Sequence, residues 1–200
     1  NGFAVVCPNH RSSGDAKYPA QIQDIKAVIR FVKGNAEKYH FDENFVAISG
    51  FSSGGHLASL AATTSNIQTY TVGDKVYDLE GNLGNHTHES SAVVAACDWS
   101  GPVDVIAMDC RERDHKFLPE VNLMGMEFKE ENFPHYRAMN ATTFIDKDDC
   151  PIAIFHGTKD GVVPCCAGEF FHQELDKAGV RNIYTQVEGG DHGGMVMYSD

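Results

Sequence analysis

No stretch of this 200-residue sequence stays apolar for the roughly 18–20 residues that a membrane-spanning helix needs; the longest apolar runs, Phe3–Pro8 and Ala92–Cys97, are far shorter. Positive charge is also scarce. Sixteen basic residues against 28 acidic ones leave a formal net charge of −12, a surface that repels nucleic-acid phosphates and anionic lipid. Strongly anionic substrates are disfavoured for the same reason, whereas neutral esters and sugars meet no such barrier. The sequence has no HExxH, no CxxC or zinc-finger spacing, no phosphate-binding P-loop and no GxGxxG, so it calls for neither a metal nor a cofactor. Pro/Ser-rich, repetitive and low-complexity segments are missing too, so there is no sign of a linker or an array. What remains is one domain's length of chain with 42% hydrophobic residues, enough for a real core.

Six cysteines are spread along the chain without metal-ligand rhythm: Cys7, Cys97, Cys110, Cys150, Cys165 and Cys166. Cys7 and Cys97 sit in apolar runs, where a free thiol behaves as a small hydrophobe. Cys165 and Cys166 are adjacent and could pair with each other only under strain; an even count does not prove disulfides, and Cys110 could pair with Cys150 or Cys165. Both ends read as cut, since the sequence opens on Asn1-Gly2-Phe3 and stops at Asp200, shortly after a histidine motif.

The element pattern alternates. Phe3–Cys7 is a continuous apolar run of strand length, suited to a sheet covered on both faces. A helix is predicted from Pro19 to His40, with Ile22, Ile25, Val28, Ile29 and Val32 at helical spacing and charged residues on the other side. A strand at Phe45–Ile48 follows, then a helix from Gly54 and a mostly irregular stretch from Thr63 to Ser91. A strand at Ala92–Cys97 precedes an irregular insertion at about 105–140, where a cap or lid could sit. A strand at Ile152–Phe155, a helix at Cys166–Ala178 stopped by Gly179, and a strand at Ile183–Val187 complete the set. Such alternation predicts an α/β fold: a doubly wound, mostly parallel sheet in a single domain, with ligands bound beyond the carboxyl ends of the strands.

Chemistry-bearing residues fall where that rule puts them. Gly50-Phe51-Ser52-Ser53-Gly54 matches G-x-S-x-G between a predicted strand and a predicted helix, the context in which this motif presents an exposed serine on a strained turn. Glycines on either side would let neighbouring backbone approach, and the helix N-terminus supplies positive dipole where negative charge develops. A serine nucleophile needs a base, and the base needs an orienting acid. In this topology the chain order is serine, acid, histidine. Asp160 follows the Ile152–Phe155 strand and His192 follows the Ile183–Val187 strand, so both position and order fit. Ser52 is therefore the candidate nucleophile, Asp160 the acid and His192 the base. Glu188 is a lesser candidate acid, and Asp191 is badly placed to orient the ring next to it in sequence. His56 is expected to pack on its helix and His156 to shape a turn, while His86, His88, His115 and His135 lie in polar stretches. The backbone N–H of Ser53 is a candidate oxyanion donor. A second donor, from a His-Gly-Gly-type loop, is expected upstream of Asn1; losing one such donor costs about 100- to 1000-fold in rate.

The chain resembles microbial esterase/lipase-like α/β-hydrolases, and within them the bifunctional feruloyl and acetyl-xylan esterases. The resemblance rests on Asn9-His10-Arg11, Tyr18-Pro19-Ala20-Gln21-Ile22-Gln23-Asp24 and Gly50–Leu57, together with Asp98–Asp104, His156–Asp160, Val163-Pro164 and Gly189–Gly193. It implies serine esterase activity on short acyl esters, acetylated sugars or xylan, with a small-molecule or polysaccharide ester as partner. It also implies a C-terminal helix beyond the histidine loop. By the same resemblance Trp99 would line the substrate pocket, with a core aromatic as the equal alternative. A serine peptidase of prolyl-oligopeptidase type and a catalytically silent hydrolase-fold binding module stay open as alternatives.

Overall fold

The computed structural model describes residues 2–108 and 118–198. Its centre is a parallel sheet in the order β1-β4-β5-β6, formed by Ala47–Phe51, Ala95–Trp99, Ile152–Gly157 and Asn182–Val187. The register pairs Gly50 with Asp98, Phe51 with Trp99, and Trp99 with Phe155, so the carboxyl ends of three strands finish side by side.

Helix α1, Ala20–Gly34, buries Ile22, Ile25 and Ile29 along its apolar stripe. It breaks at Asn35 before a short second helix, α2, Ala36–Tyr39, where one continuous helix is predicted. Its polar side is not all solvated. Lys26 and Arg30 are buried, held by Glu80: Lys26 Nζ lies 3.1 Å from Glu80 Oε2, and Arg30 Nη1 donates to Glu80 Oε1. Helix α3, Ser53–Thr63, is buried along nearly its whole length between α1 and strands β1 and β4. Helix α6, Cys166–Ala178, ends as predicted: Gly179 takes the left-handed conformation at φ 80°, and Val180 N–H reaches back to Leu175 O. Gly55 of α3 sits against Asp98, and Gly168 of α6 against His156, so both helices cover the sheet face that carries Asp98 and His156. On the opposite face Cys97, Trp99, Ala153 and Phe155 are partly exposed, and Tyr198 of the turn Met195–Tyr198 rests on Trp99.

Two segments depart from the sequence-based reading. Residues 2–10 form no strand; Phe3 is 73% and Val5 82% exposed. A strand exists only through its partner's hydrogen bonds, and here the segment stands off the sheet edge. A cavity of about 670 Å³ separates it from β1 and α1, lined by Phe3, Val6, Ile29, Val32 and Ile48 among others. Conversely, the 63–91 stretch contains an antiparallel hairpin, β2 at Thr69–Val72 and β3 at Lys75–Asp78, closed at Gly73 with φ 56°. Two strands of four residues are too short to show a clear alternating pattern. Their hold on the domain is tertiary, through buried Tyr77 and Leu79.

Within the 105–140 insertion, helices α4, Pro119–Met124, and α5, Phe133–Tyr136, are tied into the main core through Met124, Tyr136 and Met139. Cys150 and Cys165 are free thiols, so neither of the two expected pairings with Cys110 forms; among the described cysteines Cys166 is disulfide-bonded. Cys110 and His115 lie outside the described residues. Asn140 is buried and hydrogen-bonded to Asp104 and Val105 N–H. Among the described residues no helix is long and apolar enough to cross a membrane.

Candidate active site

Ser52 sits where β1 ends and α3 begins, at φ 58° and ψ −120°, a combination side-chain-bearing residues rarely adopt. Two features hold it there. Ser52 N–H donates to Trp99 O at 2.8 Å, tying the turn to the neighbouring strand. Gly50 admits the returning backbone: a Cβ at that position would lie 2.1 Å from Gly54 O. The other glycine of the motif has no such duty, since a Cβ at Gly54 would meet nothing within 4 Å; the steric requirement passes to Gly55, whose Cβ would lie 2.2 Å from Asp98 Oδ1.

The three sequence-predicted side chains come together. Ser52 Oγ lies 2.8 Å from His192 Nε2, and His192 Nδ1 lies 2.8 Å from Asp160 Oδ2. Because a carboxylate can only accept, Nδ1 carries the hydrogen, and Nε2 presents its lone pair to the hydroxyl. The two residues farthest apart in this line, Ser52 and His192, are separated by 140 positions in the chain. Asp160 is buried, and its other oxygen accepts the backbone N–H groups of Val162 at 2.9 Å and Val163 at 2.8 Å. Burial alone would push this carboxyl up. The donors His156 and His192 and the two amides outweigh it and hold Asp160 well below the usual carboxylate range, hence ionised.

The competing acids have other places. Asp191 Oδ1 accepts His192 N–H at 2.7 Å and Gly161 N–H at 3.1 Å, which clamps the acid and histidine loops to each other. Glu188 is exposed. The competing histidines are also accounted for: His56 is buried and donates from Nε2 to Met139 O at 2.6 Å, and His135 meets the Tyr77 hydroxyl at 2.9 Å.

This arrangement can make an oxygen nucleophile at neutral pH: the imidazole accepts the Ser52 proton, and the ionised Asp160 stabilises the imidazolium that results. Ser53 is the first residue of α3, so helix geometry leaves its N–H without an intrahelical acceptor, beside Ser52 and at the positive end of the helix dipole.

A serine line of this geometry on a parallel sheet agrees with a comparison against known families, in which the BD-FAE family model matches residues 1–175. The chain belongs to the BD-FAE family. It is 46% identical to a solved structure described as a bifunctional GH43-CE of Bacteroides eggerthii, with a TM-score of 0.89, over 96% of this chain and 25% of that one. It is 44% identical to a truncated form of a carbohydrate esterase from gut microbiota, with a TM-score of 0.88, over 92% of this chain and 65% of that one. Among curated proteins, the probable carboxylic ester hydrolase LipM of Mycobacterium tuberculosis is 30% identical over 96% of this chain and 42% of its own length. The chain thus spans less than half the length of that curated relative.

Trp99 of this BD-FAE chain is partly buried at the end of β4. Its ring stacks on Phe155 at 4.2 Å, with Tyr198 at 5.2 Å, while Phe51 packs on the His192 ring at 4.8 Å. Phe51 fills a variable position of G-x-S-x-G, and Phe155 and Tyr198 had no motif to mark them; their place follows from strand register and from a turn that folds back over the sheet.

Proposed function

We propose that this chain carries the catalytic centre of a serine carboxylester hydrolase that acts on short acyl esters, deacetylating acetylated sugars or xylan. The observation that carries the reading is the unbroken line from Ser52 Oγ through His192 to Asp160, with 2.8 Å at each link. His192 takes the Ser52 proton as Oγ attacks the ester carbonyl. The Ser53 N–H donates to the oxygen of the tetrahedral intermediate, and His192 returns the proton to the leaving alcohol. Water then attacks the acyl-enzyme by the same route. Asp160 stays charged throughout and holds the ring. The partly exposed Trp99–Phe155 stack offers a flat apolar surface of the kind on which a sugar ring or short acyl group packs. The description of the structure at 44% identity as a carbohydrate esterase favours a sugar ester over a peptide.

The direct test is Ser52→Ala assayed on an aryl acetate and on acetylated xylan, with an organophosphonate probe on the unmodified protein. Hydrolysis and labelling of the wild type, both abolished in the variant, are expected. Ester hydrolysis retained by Ser52→Ala would overturn the reading.

A further inference from the structure

The proposed mechanism leaves unused a buried histidine that lies beside the Asp160 carboxylate. His156 ends strand β5, is fully buried, and sits four residues before the acid. Its Nε2 lies 3.0 Å from Val163 O and 3.5 Å from Asp160 Oδ2, the oxygen that His192 Nδ1 also meets. A carbonyl only accepts, so the ring hydrogen is on Nε2 and leans toward both oxygens. Val163 is also the residue whose N–H, with that of Val162, holds Asp160 Oδ1. One imidazole N–H therefore ties the carboxylate to the far end of the short loop that grips it.

Helix α6 is shaped to receive this ring. A Cβ at Gly168 would lie 2.9 Å from His156 Nδ1, 3.0 Å from Tyr184 Cε2 and 3.3 Å from His156 Cβ. Glycine inside a helix is a poor choice on propensity alone, where alanine is best. Its use here keeps space for the imidazole. On the same side Nδ1 has no hydrogen-bond partner among the described residues, as suits a bare lone pair.

We propose that His156 is a positioning residue for the esterase reaction: through Nε2–H it locks the rotation of the Asp160 carboxylate and the Asp160–Val163 loop, so that Oδ2 faces His192 Nδ1. This rests on the serine-esterase reading above. Without the lock, Asp160 keeps the two amide donors on Oδ1 but loses the second N–H beside Oδ2, so Oδ2 is aimed at His192 less firmly, and misplacement of a catalytic group by about 1 Å costs on the order of 100-fold.

Three variants test it, each assayed per active site titrated with the organophosphonate probe. His156→Leu removes the donor and keeps an apolar filling. His156→Gln returns an N–H close to the Nε2 position. Gly168→Ala leaves His156 intact and pushes its ring. We expect kcat on an aryl acetate to fall about 10- to 100-fold in His156→Leu and about 10-fold in Gly168→Ala, with KM unchanged within twofold, and His156→Gln to recover most of the loss. The acidic limb of the kcat/KM profile should move to lower pH in His156→Leu, because a poorly aimed Asp160 stabilises the imidazolium less. If His156→Leu does not fold, Gly168→Ala and the contrast between His156→Gln and wild type decide. Loss of stability with kcat per titrated site and pH profile unchanged would overturn the proposal, leaving the ring a packing element. If the wild type neither labels nor hydrolyses esters, the esterase reading itself fails, a result distinct from any difference among the variants.

Discussion

Asp98→Asn probes the cost of a buried carboxyl one residue before Trp99, under the turn that carries Ser52. Asp98 is 1% exposed. Its Oδ1 accepts Gly101 N–H at 2.8 Å, while Oδ2 has no hydrogen bond of good geometry among the described residues. Burial pushes this carboxyl up to about 6, and nearby His156, the Gly101 N–H and the Ser59 hydroxyl offset only part of that. The sign follows from linkage. Below about pH 4 the carboxyl is protonated in both folded and unfolded chains, and the advantage of the protonated form is fully present. Between about 4 and 6 the unfolded chain releases its proton while the folded one keeps it, so folding loses about 1.4 kcal/mol per pH unit. Above 6 the loss is complete, at about 3 kcal/mol. Asparagine keeps the acceptor for Gly101, places an N–H₂ where Oδ2 was, and does not ionise. Asp98→Asn should therefore match wild type within about 1 kcal/mol near pH 4.5 and exceed it by about 2–3 kcal/mol at pH 8. For a chain of this size that corresponds to a gain of about 4–12 °C in Tm at the higher pH. Urea denaturation of both proteins across that range reads the difference directly, and common acid effects cancel in the comparison. A difference that stays constant from pH 4.5 to 8 would refute the reasoning, since it would mean Asp98 titrates as it does in the unfolded chain.

Two further outcomes follow from charges in the structure. Glu80→Ala leaves Lys26 and Arg30 buried without their shared carboxylate, and should cost about 3–5 kcal/mol in denaturation experiments; a loss under 1 kcal/mol would show that the cluster is solvated. Asp160→Asn replaces an ionised acceptor with an amide that can turn its N–H₂ toward His192, favouring the wrong tautomer. With the fold preserved, kcat on an aryl ester should drop about 10⁴-fold, measured by steady-state hydrolysis at pH 7–8, and a drop below tenfold would remove Asp160 from its role.

The motif residues were legible because their constraints are local or ordered along the chain. Gly50-Phe51-Ser52 must make a tight strand-to-helix turn wherever it occurs, and the order serine, acid, histidine follows from strand succession. Helix α6 was legible to the residue, since its periodicity and its Gly179 stop both lie within a single segment. Local pattern failed where pairing decides. Phe3–Cys7 has strand composition, yet stands off the sheet edge without a hydrogen-bonding neighbour, while the less apolar Thr69–Val72 and Lys75–Asp78 pair with each other. The Gly54 expectation failed for a related reason: a motif names the glycine, but only the approach of Asp98 and Gly101 shows that Gly55 is the one with no room for a side chain.

The sequence by itself determined which residue types could do acyl-transfer chemistry, which strands they follow, and that the sheet is parallel, because those properties are carried by segments of a few residues and by their order. Tertiary structure alone decided that Lys26 and Arg30 are buried against a glutamate some 50 residues away, that Asp98 is held without solvent, and that His156, expected to shape a turn, faces the Asp160 carboxylate. Burial and hydrogen-bond geometry arise between segments distant in the chain, so no window of sequence contains them.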